Sequence, residues 1–293
     1  MKIKETKMKS KIITLLLVIL YSVPAFAVDI MLGAKSGYYT WRPFYKDFDA
    51  TFFSGVKNGS GVLYGPVASI IFHPDISLSG VALFGKQISN WHIGNEEGDF
   101  GDYIGGNYTM KAERTDIDSA LSYRIIPYLK AFIGFKYQKV NTDIVQHERS
   151  SSNDNDGSLK VSDSVIYVDS ISYGPALGIG FTKSLNNITF LTVNFSALFM
   201  WGDFNSGIDG TQYDGTEPIE YNTQEFDPAE TIHYGFNFEP SIVSKIADHV
   251  IITLGGRFQL LKTKFEEEDP ARPGKDVMND YLYGVFISAL FVF

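Results

Sequence analysis

From residue 29 onward, apolar side chains recur at alternate positions in ten separate runs, near 29–41, 61–72, 76–87, 109–123, 128–140, 165–182, 188–201, 231–244, 249–262 and 281–293. A two-residue period sends alternate side chains to opposite faces of a β-strand, so the pattern predicts ten strands. On 188–201, Leu191, Val193, Phe195, Ala197, Phe199 and Trp201 oppose Thr192, Asn194 and Ser196. On 249–262, Val250, Ile252, Leu254, Gly256, Phe258 and Leu260 oppose Thr253, Gly255, Arg257 and Gln259. The first three runs are rich in Gly, Ala and Ser, and their facing stays open.

The connections sort by length. Short turns fall at His73–Asp75, Arg124–Pro127, Lys183–Asn187 and Lys245–Asp248, and long polar segments at 42–60, 88–108, 141–164, 202–230 and 263–280. Four short turns alternating with five long loops suit an up-and-down barrel with both chain ends on the turn side. A soluble sandwich has no reason to sort its connections in this way. The chain closes on Tyr281-Leu-Tyr-Gly-Val-Phe-Ile-Ser-Ala-Leu-Phe-Val-Phe293, whose odd positions from Tyr283 form an unbroken apolar row. With its terminal aromatic residue, this stretch resembles the closing strand of Gram-negative outer-membrane β-barrels. The resemblance covers the whole chain at the level of that class. It implies an all-β, antiparallel transmembrane barrel of ten strands, with eight or twelve as the alternatives. It also implies that Phe293 belongs to the signal read by the barrel assembly machinery. Omptin proteases share the strand count and a similar length, but their active-site motifs find no match here and none of their chemistry is carried over.

The N-terminus agrees with export. Lys2, Lys4, Lys7, Lys9 and Lys11 precede an apolar run from Ile12 to Tyr21, and Ala25 and Ala27 supply an A-x-A cleavage site. Residues 1–27 are therefore expected to be a cleaved secretory signal peptide, leaving 28–293 as the barrel domain. The run is too short for a membrane-spanning helix, which needs about 20 residues. The chain has no Cys, so neither a disulfide nor a lipoprotein anchor is available.

Charge narrows the partners. The net charge is −9, and removing residues 1–27, with five Lys and one Glu, takes it to −13. Nucleic acid is an unsuitable partner for such a chain, because phosphate contacts require Lys and Arg. Phe and Tyr supply 40 of the 43 aromatic residues, an excess that girdles at two membrane interfaces would absorb. The expected surroundings are outer-membrane lipid and lipopolysaccharide, the expected state a monomer, and an extracellular ligand or host surface molecule is the expected partner for the loops.

Strand parity sends Lys35, Arg114, Asp116, Asp118, Lys130, Lys136, Glu239 and Arg257 into the lumen. On the lipid face at mid-depth, an Arg or Lys would cost about 2–4 kcal/mol. Asp116 and Asp118 are expected to pair with Lys130 and Lys136 on the next strand. An interior of ten strands lies nearer the side-chain-filled limit than the porin limit. A structural or surface-interaction barrel with a charge-filled lumen is the first functional reading. A narrow channel for small solutes is the second, and a barrel hydrolase using His233 and Glu230 the third. No cofactor or catalytic set is expected. Asp203, Asp209 and Asp214 in one loop, and Asp154 and Asp156 in another, are weak candidates for a divalent cation, since neither cluster has EF-hand spacing.

Deleting Phe293 tests the assembly role. The fold would lose about 1.5–3 kcal/mol at most from one buried aromatic side chain, so the expected defect is periplasmic accumulation and degradation during assembly. Normal membrane levels of the truncated chain under native expression would exclude that role.

Overall fold

Apolar alternation and the need to pair every backbone group drive the chain into one antiparallel ladder. The computed structural model describes residues 29–47, 56–97, 103–151, 159–214, 217–266 and 277–293. Its strands are β1 (Asp29–Arg42), β2 (Gly59–His73), β3 (Ile76–Glu97), β4 (Tyr103–Ile126), β5 (Leu129–Ser151), β6 (Leu159–Ser184), β7 (Thr189–Asp214), β8 (Glu217–Glu225), β9 (Ala229–Ala247), β10 (Val250–Phe265) and β11 (Met278–Val292). β1 pairs with β2 on one edge and with β11 on the other, from Met31↔Val292 to Arg42↔Tyr281. β7 pairs with both β6 and β9, so ten strands close into a ring. β8 stands outside the ring and pairs with the upper part of β7, above the stretch that β9 occupies.

The chain end completes the closure. The Phe293 amide donates to the Ile30 carbonyl, and the Val292 amide to the His249 carbonyl. Pro66, Pro175 and Pro240 face outward and interrupt one ladder each, yet each keeps its register on the other side, opposite Ala34, Phe135 and Val193. Proline lacks the amide proton for a second ladder, so these are the places where the wall tolerates it.

The exterior carries an apolar band. Ile30, Leu32, Leu121, Ile133, Leu177, Ile179, Leu254, Val285 and Ile287 are among its exposed residues. Tyr123, Tyr128, Phe181 and Phe293 rim the band near the short turns, and Tyr38, Tyr64, Tyr173, Trp201, Tyr234 and Tyr283 rim it at the other end. Above that second rim the outer face turns polar, beginning with the Lys86–Glu113 ion pair at 2.6 Å. A band of this kind between two aromatic rims is the surface of a transmembrane barrel.

The strands outrun their sequence-predicted lengths at one end. β4, β5, β6 and β7 contain 24, 23, 26 and 26 residues, against the 9–11 or so that cross a bilayer. Much of what polarity alone assigns to loops at 88–108, 141–164 and 202–230 is therefore strand that continues past the apolar band. There the outer face is polar while inward positions such as Met110, Ile144, Ile166 and Phe204 are apolar, so the alternation that marks a lipid-facing strand is reversed. The segment 42–60 also departs from expectation. Its described part turns into the barrel mouth, where Phe44 and Tyr45, on a 3-10 turn at Phe44–Asp47, and Val56 are buried. The proposed signal peptide at 1–27, together with Asp154 and Asp156, lies outside the described residues.

Closure also depends on a small residue. Gly284 on β11 faces Tyr39 on β1, and a Cβ there would collide with the Tyr38 carbonyl and lie 2.8 Å from the Tyr39 ring. Gly284→Val is expected to destabilise the purified barrel by about 1–3 kcal/mol, as overpacking does. The readout is the temperature at which the folded band converts to the unfolded one on SDS gels, and an unchanged temperature would contradict this account of the seam.

Candidate functional site

All eight charges expected in the lumen lie on inward-facing strand positions. Asp118 is the hub of the main network. It accepts from Lys136 Nζ at 2.9 Å and from Arg257 Nη2 at 3.0 Å. Lys136 is its direct cross-strand neighbour, whereas Arg257 reaches it from β10, five strands away in either direction around the ring. The Asp118–Arg257 pair therefore spans the lumen. Arg257 also donates to Asn237 Oδ1 and Gln259 Oε1, and Gln259 donates to Gln138 on β5. A second contact joins Lys35 to Glu239 at 2.9 Å, with the Lys35 ammonium 3.6 Å above the Phe286 ring. Arg114 pairs with Asp116 on its own strand at 3.2 Å, its guanidinium over the Trp41 ring.

The expected pairing of Asp116 and Asp118 with both lysines divides. Lys136 makes its bond, but Lys130 lies opposite Arg124 and makes no ion-pair contact with either aspartate. Six residues separate Lys130 from Lys136 on the same face, about 20 Å of strand at 3.3 Å each, which puts Lys130 beyond reach of Asp118.

Beyond the charges, the lumen is closed by apolar packing. Phe44 sits among Phe204, Phe265 and His233, with ring centroids 5.5, 6.3 and 6.1 Å away. Tyr45 packs edge-on to Trp41 and donates its hydroxyl to Thr142 Oγ1 at 3.2 Å. Leu63, Leu83, Met110, Ile144, Ile166 and Leu282 fill the surrounding wall. The interior thus holds charges across its middle and apolar side chains above them. Between the two layers remains a cavity of about 10 Å³ lined by Trp41, Tyr45, Gln138, His233 and Asp280, room for roughly one water molecule.

The turn that carries Phe44 and Tyr45 is tied to β11. Arg42 Nη2 meets Asp47 Oδ1 at 2.6 Å, Arg42 Nη1 donates to the Asn279 carbonyl at 3.0 Å, and Asp47 Oδ2 accepts from the Asn279 amide at 3.1 Å. Asp280, next in sequence, faces inward and accepts from Trp41 Nε1 at 2.8 Å. Alternation alone misses Phe44, Tyr45 and Asp280, because they fall in segments assigned to loops. The one available signal was the aromatic run Trp41-Arg-Pro-Phe-Tyr45 entering an otherwise polar connection.

The hydrolase pairing separates. His233 points inward and bridges Thr231 Oγ1 and Thr263 Oγ1 at 3.0 and 2.9 Å, while Glu230 is exposed on the other face of the same strand. Asp203 faces outward opposite Glu230, and Asp209 accepts from Thr223. The side chain of Asp214 lies outside the described ones. Among the described residues no three His, Asp or Glu side chains gather as metal ligands do.

Removing one partner of the spanning network should be costly. Lys136→Ala leaves Asp118, whose side chain is 32% exposed, with Arg257 as its remaining cation, so the cost is expected to fall below the roughly 3–5 kcal/mol of a fully buried broken pair. The expected result is a clear fall in the unfolding temperature. Equal heat resistance in the variant would mean that water solvates the site.

No protein-family model and no curated protein matches the chain. Its neighbours among solved structures are Gram-negative outer-membrane β-barrels. They include the outer membrane protease OmpT from Escherichia coli, with TM-score 0.46 and 10% identity over 91% of this chain and 96% of that one. The translocator domain of the autotransporter NalP from Neisseria meningitidis gives 0.33 and 8% over 97% and 95%, and a Pseudomonas aeruginosa FadL homologue 0.31 and 9% over 90% of each. What the chain shares with these proteins is a barrel shape.

Proposed function

We propose that this protein is an outer-membrane barrel whose lumen is shut and whose work is done by its long-strand end at the cell surface. The carrying observation is the double closure: the Asp118–Arg257 pair spans the lumen, and Phe44 and Tyr45 roof it. A diffusion pore needs a continuous water path, and neither layer supplies one. The short turns and both ends of the barrel domain then face the periplasm, after Sec-dependent export and insertion by the barrel assembly machinery. Closure of β1 on β11 leaves the ring without an open edge, which suits a monomer.

The surface end supports an interaction role. Strands β4 to β7, at about 3.3 Å per residue, are long enough to stand well clear of the bilayer. Asp169, Asp203, Asp209 and Glu230 face outward on β6, β7 and β9. An acidic projecting wall suits a cationic partner, whether a basic patch on a host or envelope protein or divalent cations bridging lipopolysaccharide phosphates. A gated narrow channel is the second reading. The observation favouring it is that the roof is a connecting segment held through the Arg42–Asp47 pair rather than part of the wall.

Conductance in a planar bilayer tests both readings. Purified wild type is expected to show no steady conductance, and a stable open level would overturn the closed barrel. Asp47→Ala, which releases the tether, is expected to stay silent if the roof is structural. Bursts of conductance from that variant would establish the gated channel instead.

A further inference from the structure

The wall that rises above the ring ends in a strand edge. Along Gly207–Asp214, β7 is paired on both sides, with β6 from Tyr167↔Gly207 to Lys160↔Asp214 and with β8 from Gly207↔Glu225 to Asp214↔Glu217. Among the described residues β8 pairs with β7 alone. It prolongs the line of β9, which follows β7 only as far as Phe204↔Ala229. β10, the next strand round, has its last ladder pair at Phe265↔Thr231, and its final bond runs from the Glu266 amide to the Glu230 carbonyl. Both lie at the foot of β8, so no described strand flanks its second side. A strand paired on one side presents a row of backbone donors and acceptors, a template for another strand.

β3 also rises above its neighbour. Its ladder with β2 ends at Ser60↔Ile88, while that with β4 continues to Glu97↔Tyr103. A shift of register between Ile93 and Glu96 interrupts that edge, and bulges are one means of blunting an edge. Along β8 the register shifts only near its start, opposite Gln212 and Tyr213, and is regular from Tyr221 to Glu225. The β8 edge is therefore the better template.

Charge decides what this edge accepts. β8 has Glu217, Glu220 and Glu225 and no Lys or Arg. Opposite residues of an antiparallel pair share a face, so Thr223 and Glu225 lie outward with Asp209 and Gly207. The Tyr167 ring covers Gly207, where a Cβ would stand 2.1 Å from its hydroxyl oxygen, and so brings an aromatic surface beside Glu225. A carboxylate next to an aromatic ring suits an ammonium or guanidinium group. A second copy of this chain is a poor occupant, because two β8 edges would set like charges against each other.

We propose that the second side of β8 receives an extended basic segment of a partner protein, which joins the sheet as a further strand. Main-chain bonds to β8 would supply affinity, and Lys or Arg at alternate positions would meet Glu225 and its neighbours on the outer face. The inference deepens the proposed surface role and takes from it only that this end of the barrel faces outside.

The probe is the peptide Thr-Lys-Thr-Lys-Thr-Lys-Thr, labelled with fluorescein at one end, capped at the other and titrated against the full purified barrel by fluorescence anisotropy. Saturable binding is expected. Two further versions carry N-methyl groups, one on the Lys amides and the other on alternate Thr amides. Alternate amides of a strand point to opposite edges, so strand addition requires at least one version to bind about tenfold more weakly than the parent. Attraction between charges alone predicts that neither does. Glu225→Lys is expected to weaken the parent peptide and to favour a Thr-Glu counterpart. Absent saturation, equal affinity for the parent and both methylated versions, or unchanged affinity in Glu225→Lys overturns the inference. The chain has no Cys, so Thr223→Cys can be labelled on intact cells with a membrane-impermeant maleimide. Labelling only after permeabilisation would refute the surface assignment, and with it a partner outside the cell, while the peptides alone decide strand addition.

Discussion

Everything in this structure depends on the pairing of β1 with β11. A strand in a bilayer has no water to satisfy its amides and carbonyls, and each unsatisfied group there costs several kcal/mol. Ten strands have two raw edges until Met31–Arg42 registers against Tyr281–Val292. Glycine at 284 lets the two backbones approach under Tyr39, and the terminal amide of Phe293 extends the bonding to Ile30. Closure then dictates the rest, since a period of two divides every strand into a lipid face and a lumenal face.

The lumenal face must solve a different problem, because charges excluded from lipid are brought together in a narrow space. Asp118 resolves it by serving two cations from opposite walls, Lys136 beside it and Arg257 across the ring. Lys130, toward the turn end, makes no ion-pair contact of its own and lies opposite Arg124. Above the network the interior is apolar, filled by the turn that carries Phe44 and Tyr45. Charge pairing and apolar packing thus close the same lumen at two levels. The first depends on both partners of each pair, while the second is tied down through Arg42 and Asp47.

Most of the barrel was legible in the chain because lipid makes alternation strict. Ten runs, four short turns and a terminal aromatic strand correspond to ten ring strands in sequence order. Legibility ended where the apolar band ends. Past it, β4 to β7 continue with polar residues outside and apolar ones such as Met110, Ile144, Ile166 and Phe204 inside, the reverse of the lipid-facing alternation, and β8 forms a local hairpin with β7. Parity placed eight charges inward but left their partners open, since partners depend on register and on distance across the ring.

Sequence alone determined the class of fold, the facing of the strands that cross the apolar band and the inward direction of the charges. These follow from local periodicity and the cost of a charge in lipid, both readable one strand at a time. Only the tertiary structure decided that Arg257 reaches Asp118, that Lys130 misses both aspartates, that His233 and Glu230 part to opposite faces, and that Phe44 turns inward. Each of these depends on which residues meet across a closed ring, and ring closure joins positions far apart in the chain that no local pattern connects.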